Sequence, residues 1–206
     1  MSAHRLILAS GSPRRRELLS RAGYRFDVMV PDASAECGVC TETGPAALVV
    51  ESATRKAADV VARVEHAVVV ACDTVAECQG RILGKPVDTD HAREMLAALS
   101  GREHRVYSGL CVWPVDRNTP SDPRTVAELR VAITSLRMDR LAEEQLAAYL
   151  ASEAWEGKAG AFGYQDGLDW VHIVEGSESN VIGLPMEVLE EILTTLGIHP
   201  AERANQ

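Results

Sequence analysis

The period of the apolar positions changes several times along the chain, and each change predicts an element. Residues 6–9 are an unbroken apolar run and predict a short buried strand. Ser10, Gly11, Ser12 and Pro13 follow as a small-residue turn, with Ser12 placed to cap and Pro13 to open a helix over 14–22 that Gly23 closes. Residues 24–30 predict a second strand, stopped by Pro31. From 45 to about 64 the chain is Ala-rich, with Leu48, Ser52, Arg55 and Lys56 spaced along helical faces, and predicts a long amphipathic helix. Residues 67–72 are continuously apolar and rich in Val, which predicts an interior strand covered on both faces and ending at Asp73 and Thr74.

Residues 75–77 and 81–83 flank Gln79 and Gly80 and predict a hairpin, after which Thr89 caps a helix to Leu99. Strands are predicted over 105–113 and 125–136, with the loop 114–123 between them. A helix over 139–151, a glycine-punctuated loop over 157–167, a strand over 170–174 and a helix over 185–196 complete the chain. Strands and helices alternate without repeats, so the fold class is α/β with a mixed sheet.

Composition narrows the classes. A chain of 206 residues buries about 70% of its unfolded surface, and a single domain over 1–200 with a loose tail over 201–206 is expected. Hydrophobic residues at 46% and charged residues at 25% exclude long disorder and a fibrous architecture. The net charge of -9 argues against a nucleic-acid polymer or an anionic membrane as partner, yet leaves a local group of arginines able to hold a small anion. Residues 1–9 are too short and weakly apolar for a signal peptide or a membrane span, so a cytoplasmic protein is expected. Five cysteines fit reduced thiols. Cys37 and Cys40 form a CxxC without a second pair at metal-ligand spacing, which leaves a chance spacing or a redox pair.

Four places carry candidate chemistry. The run Ser10-Gly11-Ser12-Pro13-Arg14-Arg15 joins a strand to a helix start, where unpaired N–H groups and planar guanidinium forks suit a phosphate. A capped surface helix with solvated arginines is the other reading. Asp73, closing the most apolar strand, is a carboxylate that can ligate a divalent metal or accept a proton from water, or else caps a turn. Glu36 and Glu77 are its possible companions. Lys85, between Gly84 and Pro86, sits on a stiffened segment suited to a phosphate, and Lys56 and Lys158 are further cations, each of which could equally be solvated. His104, between Arg102 and Arg105, is read as a strand-surface residue without a role.

Taken together, Ser10-Gly11-Ser12-Pro13-Arg14-Arg15, Cys72-Asp73-Thr74, Gly84-Lys85-Pro86, Leu99-Ser100-Gly101-Arg102, Gly157-Lys158-Ala159-Gly160-Ala161-Phe162-Gly163 and Glu175-Gly176-Ser177 with Asn180 and Gly183-Leu184-Pro185 resemble the Maf family. The order and spacing cover about residues 5 to 197. The resemblance implies an elongated mixed β-sheet in two lobes with flanking helices, of inosine-triphosphatase-like architecture, with a nucleotide groove between the lobes. It implies hydrolysis between the α and β phosphates of a nucleoside triphosphate, with magnesium or manganese as cofactor, by a homodimer. By the same resemblance Asp73 is the catalytic carboxylate and, with Glu36, a metal ligand. Arg14, Lys56 and Lys85 then grip phosphates, and Ser12 and Arg15 line the same cradle. Lys158 and Gln165 are similar to the branch acting on dTTP and UTP. In that segment Tyr164 stands where an aliphatic residue is usual, Asp166 follows Gln165 directly, and Cys72 and Cys78 are atypical beside the catalytic strand. Rival expectations are 7-methyl-GTP or ITP as substrate, and a non-catalytic nucleotide-binding regulator of cell division.

Overall fold

A computed structural model describes residues 5–36, 44–118 and 126–201. Strand β1 (Leu6–Leu8), helix α1 (Pro13–Arg21), strand β2 (Asp27–Val28), a 3-10 turn (Ala33–Glu36) and helix α2 (Gly44–Val61) come first. Strands β3 (His66–Cys78) and β4 (Arg81–Leu83), helix α3 (Thr89–Leu99) and strands β5 (Glu103–Asp116) and β6 (Glu128–Met138) follow. Helix α4 (Glu143–Ala151), 3-10 turns at Ala159–Ala161 and Tyr164–Asp166, strand β7 (Val171–Glu175) and helices α5 (Glu178–Ile182) and α6 (Met186–Thr195) close the chain. The strands form one sheet in the order β2-β1-β3-β5-β6-β7, with β4 also paired to β3. β1 runs parallel to β2 and β3, and the other pairings are antiparallel, so the α/β mixed sheet is as expected.

Successive side chains of β3 leave the sheet on opposite faces, and the apolar ones feed different cores. Val68, Val70 and Cys72 pack with Leu19 of α1 and with Leu189 and Ile192 of α6, whereas Ala67, Val69 and Ala71 pack with Ala53, Ala57 and Val60 of α2. Further along the same strand, Ala76 and Cys78 join a third cluster with Leu96 of α3, Leu150 of α4 and Phe162. Apolar cores therefore gather towards both ends of the long strands, the two-lobed arrangement anticipated above.

The division leaves a gap in the sheet. β1 pairs with β3 up to Val70 and β4 only from Ala76, while β5 accompanies β3 along its length. Residues 71–75 thus have a neighbouring strand on one side only among the described residues. Asp73 and Thr74 lie in this stretch, mid-strand, which corrects the expectation that they end it. A carboxylate interrupts the apolar pattern without interrupting the strand, because the ladder to β5 continues through Asp73 opposite Gly109.

Other boundaries move for similar reasons. β5 runs past the expected loop start to include Pro114, tolerated because β6 pairing stops at Val112 opposite Glu128, so no partner on that side needs its missing N–H. The cap of α3 is Asp88, whose carboxylate accepts from the His91 N–H at 2.7 Å, rather than Thr89. Asp139 does not open a helix. Its N–H is bonded to the Trp170 carbonyl and its carbonyl to Gly101, so α4 starts four residues later. The strand expected over 24–30 shrinks to two residues beside the three-residue β1. His104 is 3% exposed rather than on the surface, its ring edge-on to Phe162 at 5.4 Å, and burial lowers its pKa to about 4. Ala201, expected to begin a loose tail, donates its N–H to Gly23. No helix among the described residues is long and apolar enough to cross a membrane. Cys37 and Cys40 lie outside the described residues.

Helix α2 lies directly on β5. A Cβ on Gly109 would fall 2.3 Å from the backbone carbonyl of Val49, so only a glycine lets the helix approach this closely. Gly109→Ala is therefore expected to push α2 off the sheet and lower stability by about 1–3 kcal/mol, read as a lower urea midpoint; an unchanged midpoint would show that the helix seat is adjustable.

Candidate functional site

The buried stripe of α2 is Leu48, Val49, Ser52, Ala53, Lys56, Ala57 and Val60. Helical spacing thus drives a lysine towards the sheet among apolar neighbours, where an isolated ammonium would be strongly disfavoured. Asp73 on β3 answers it: Lys56 Nζ lies 2.6 Å from Asp73 Oδ1, with the lysine side chain 6% and the aspartate side chain 22% exposed. Removing one partner from such a pair costs roughly 3–5 kcal/mol, so its geometry is firmly held. The partly open aspartate faces a cleft of about 400 Å³ that also touches Thr74 on the opposite face of the strand. The cleft occupies the place where β3 lacks its second neighbour.

Around this gap the chain brings together segments far apart in sequence. The turn after β1 and the start of α1 form one wall, the segment after β4 brings Lys85, the loop before and after the turn at Ala159–Ala161 forms another wall, and α5 with Gly183 closes it. Ser12, Arg14, Arg15, Lys56, Asp73, Lys85, Lys158 and Gln165, anticipated from eight separate positions, all line this one cleft. Glu36 closes the 3-10 turn that precedes α2, and its side chain lies outside the described set. Glu77 is turned away from the cleft and accepts from the Gly80 N–H in the β3–β4 turn.

The cations of the cleft differ in what already holds them. Arg15 is bound by structure: its Nε donates to the Gly183 carbonyl at 2.7 Å, and its terminal nitrogens reach Ser10 Oγ and Thr74 Oγ1, each at 3.2 Å. Lys158 is paired with the Asp166 carboxylate. Arg14 donates to the Gly157 carbonyl at 2.8 Å and has no carboxylate partner among the described residues, while Lys85 makes neither a hydrogen bond nor an ion pair among them. Burial, and after it the charge of Arg15, lowers the Arg14 pKa against a smaller opposing pull from the Asp166 carboxylate, so an incoming anion would further stabilise the cation. Arg16, third in the run, is exposed and outside the cleft.

Ser12 is the N-cap of α1 in position, but its hydroxyl makes no capping bond, so it remains open to the cleft. The helix start adds N–H groups and the positive end of the helix dipole. Behind Arg15 runs a polar chain that the sequence did not reveal. Thr74 Oγ1 meets Ser108 Oγ at 2.8 Å, Ser108 reaches the Asn180 carbonyl, and Asn180 Nδ2 donates to Thr134 Oγ1 at 2.9 Å. Asn180 belongs to α5, a helix not anticipated, although Ser177, which accepts from the Asn180 N–H, is an ordinary cap signal.

Cationic groups and a carboxylate thus converge on one cleft. The sequence pattern described as Maf-like protein matches residues 5–196. The chain belongs to the Maf-like family. A dTTP/UTP pyrophosphatase of Rhodopirellula baltica is 53% identical over 189 residues, spanning 91% of this chain and 80% of that protein. One from Moorella thermoacetica is 42% identical over 195 residues, spanning 94% and 96%, and one from Pyrococcus furiosus is 34% identical over 190 residues, spanning 92% and 94%. Among solved structures, a HAM1 protein from Coxiella burnetii aligns over 94% of this chain and 98% of that one, at 16% identity and a TM-score of 0.48.

The contrast between held and unheld cations of this Maf-like cleft is measurable. Arg15→Ala removes bonds that tie α1 to β3 and to Gly183, and should cost at least about 1.5–3 kcal/mol of stability. Lys85→Ala should stay within about 0.5 kcal/mol of the parent. Urea unfolding of the two variants gives the comparison, and equal losses would contradict the division.

Proposed function

We propose that this Maf-like protein hydrolyses nucleoside triphosphates, dTTP and UTP foremost, to the nucleoside monophosphate and pyrophosphate. The observation that carries the reading is one carboxylate, Asp73, facing the same cleft as two cations without carboxylate partners among the described residues, Arg14 and Lys85. Such a site attracts a polyphosphate and offers a proton acceptor beside it. The names of relatives that share 53% and 42% of their aligned residues over more than nine-tenths of this chain support the substrate.

Arg14, Lys85, the Ser12 hydroxyl and the N-terminus of α1 receive the phosphate tail. Lys56 keeps Asp73 oriented through Oδ1, leaving Oδ2 towards the cleft to accept a proton from the attacking water, a contribution of roughly 10²–10⁴-fold. Negative charge gathering on the departing pyrophosphate is met by Arg14 and Lys85, and Arg15 acts by holding the walls together. Gln165 and Lys158 lie on the side of the base.

The donor set suits magnesium or manganese. No group of three His, Cys, Asp or Glu that could hold a metal is present among the described residues, and a hard cation of this kind is commonly held by one or two carboxylates together with substrate phosphates. By the sequence resemblance, the Asp73 carboxylate and Glu36 would be the protein ligands. When bound, the cation would polarise the phosphoryl oxygens and neutralise charge on the leaving group.

Purified protein with manganese or magnesium should release pyrophosphate from dTTP and UTP. Asp73→Asn should lower turnover by roughly 10²–10⁴-fold while nucleotide binding, followed by calorimetry, persists because the phosphate-binding cations are untouched. Unchanged turnover in that variant would remove Asp73 from the reaction. Orthophosphate as sole product, or a preference for 7-methyl-GTP or ITP, would overturn the assigned activity.

A further inference from the structure

Asp166, which directly follows Gln165, lies against the cleft wall where it holds two neighbours at once. Its Oδ2 is paired with Lys158 Nζ, and its Oδ1 accepts from Gln165 Nε2 at 3.2 Å. The three side chains converge over one backbone atom. A Cβ on Gly163 would fall 2.4 Å from Asp166 Oδ2, 2.4 Å from Lys158 Nζ and 2.7 Å from Gln165 Nε2, so the glycine is what leaves room for the group. Lys158 is 11% exposed and Asp166 24% in their side chains, so the pair is shielded enough to be well fixed.

A glutamine amide can turn either its N–H₂ or its oxygen towards a partner, and an ionised carboxylate can only accept. Asp166 therefore imposes one orientation: Nε2 faces the carboxylate, and Oε1 is left for the cleft that Gln165 lines. We infer that Asp166 is a positioning residue that makes Gln165 a hydrogen-bond acceptor, so that the site selects bases with a ring N–H at the contacted edge. Uracil and thymine carry such a donor at N3, whereas cytosine presents a lone pair there and would set acceptor against acceptor. The inference deepens the assigned pyrophosphatase reading and rests on it.

The test compares UTP and CTP, each with manganese, by kcat/KM for pyrophosphate release. Asp166→Asn preserves volume but can donate as well as accept, which frees the Gln165 amide to turn. The UTP:CTP ratio should fall roughly tenfold, about the worth of one net hydrogen bond, and Asp166→Glu should recover part of it. In a Gln165→Ala background the Asp166→Asn change should no longer move the ratio, which a purely structural role would not produce. The parent protein supplies an arm that does not depend on a variant folding: 3-methyluridine triphosphate, lacking the N3 proton, should be cleaved roughly tenfold less efficiently than UTP. A ratio unchanged by Asp166→Asn, a ratio that falls equally in the Gln165→Ala background, or undiminished cleavage of the methylated substrate overturns the orientation role while leaving the pyrophosphatase reading intact. A parent protein that releases no pyrophosphate from UTP removes both.

Discussion

The pairing of β3 constrains everything else in the site. On one side β5 follows it from His66 to Glu77, which keeps the backbone straight through a polar position; on the other, β1 stops at Val70 and β4 begins at Ala76. A strand held on one side only is rigid yet accessible, and two consecutive residues there point to opposite faces. Asp73 meets the α2 side and Lys56, while Thr74 meets the α1 and α5 side and Arg15. The sheet gap therefore links a cleft-lining carboxylate on one face with a hydrogen-bond chain on the other. The seat of α2 on Gly109, directly opposite Asp73 in register, fixes the distance at which Lys56 arrives.

The cleft's charges have divided duties. Among the described residues five basic side chains line it, but Lys56 and Lys158 face carboxylates and Arg15 faces three oxygen acceptors of the protein itself. Among the described residues, Arg14 has one such acceptor, the Gly157 carbonyl, and no carboxylate pair, while Lys85 has neither. This division reconciles a polycationic motif with a folded resting state: if all five were unpaired, mutual repulsion in a half-buried space would oppose folding. Their selective pairing sets cations tied to the protein framework beside others that are less firmly held.

Much of this was legible in the sequence where the signal was local. The strand, the Ser-Gly-Ser-Pro turn and α1 follow from adjacent residues, and the buried stripe of α2 follows from helical spacing. Asp73 stood out as a polar residue against an apolar strand, but its place within the strand depended on β5, about thirty residues away, so the sequence pattern suggested an end. The same non-local dependence hid the α5 polar chain, the burial of His104 and the continuation of β5 through Pro114. The arginines after the turn were legible as a phosphate-binding candidate; which of them line the cleft, and what holds each, depended on Gly183 and Gly157 supplying carbonyls from distant loops. Asp166 was visible only as the residue after Gln165, while its contacts required Lys158, Gln165 and Gly163 to meet in space.

The overall charge of -9 also acquires a meaning once the cleft is placed. Salt screens exposed charges beyond about 8–10 Å, so an anion inside the cleft responds chiefly to Arg14, Lys85 and the start of α1. A longer polyanion would extend past them and meet the predominantly acidic remainder. Attraction confined to one cavity and repulsion spread over the surface together favour an anion short enough to end within the site, as a single nucleotide's phosphate tail does.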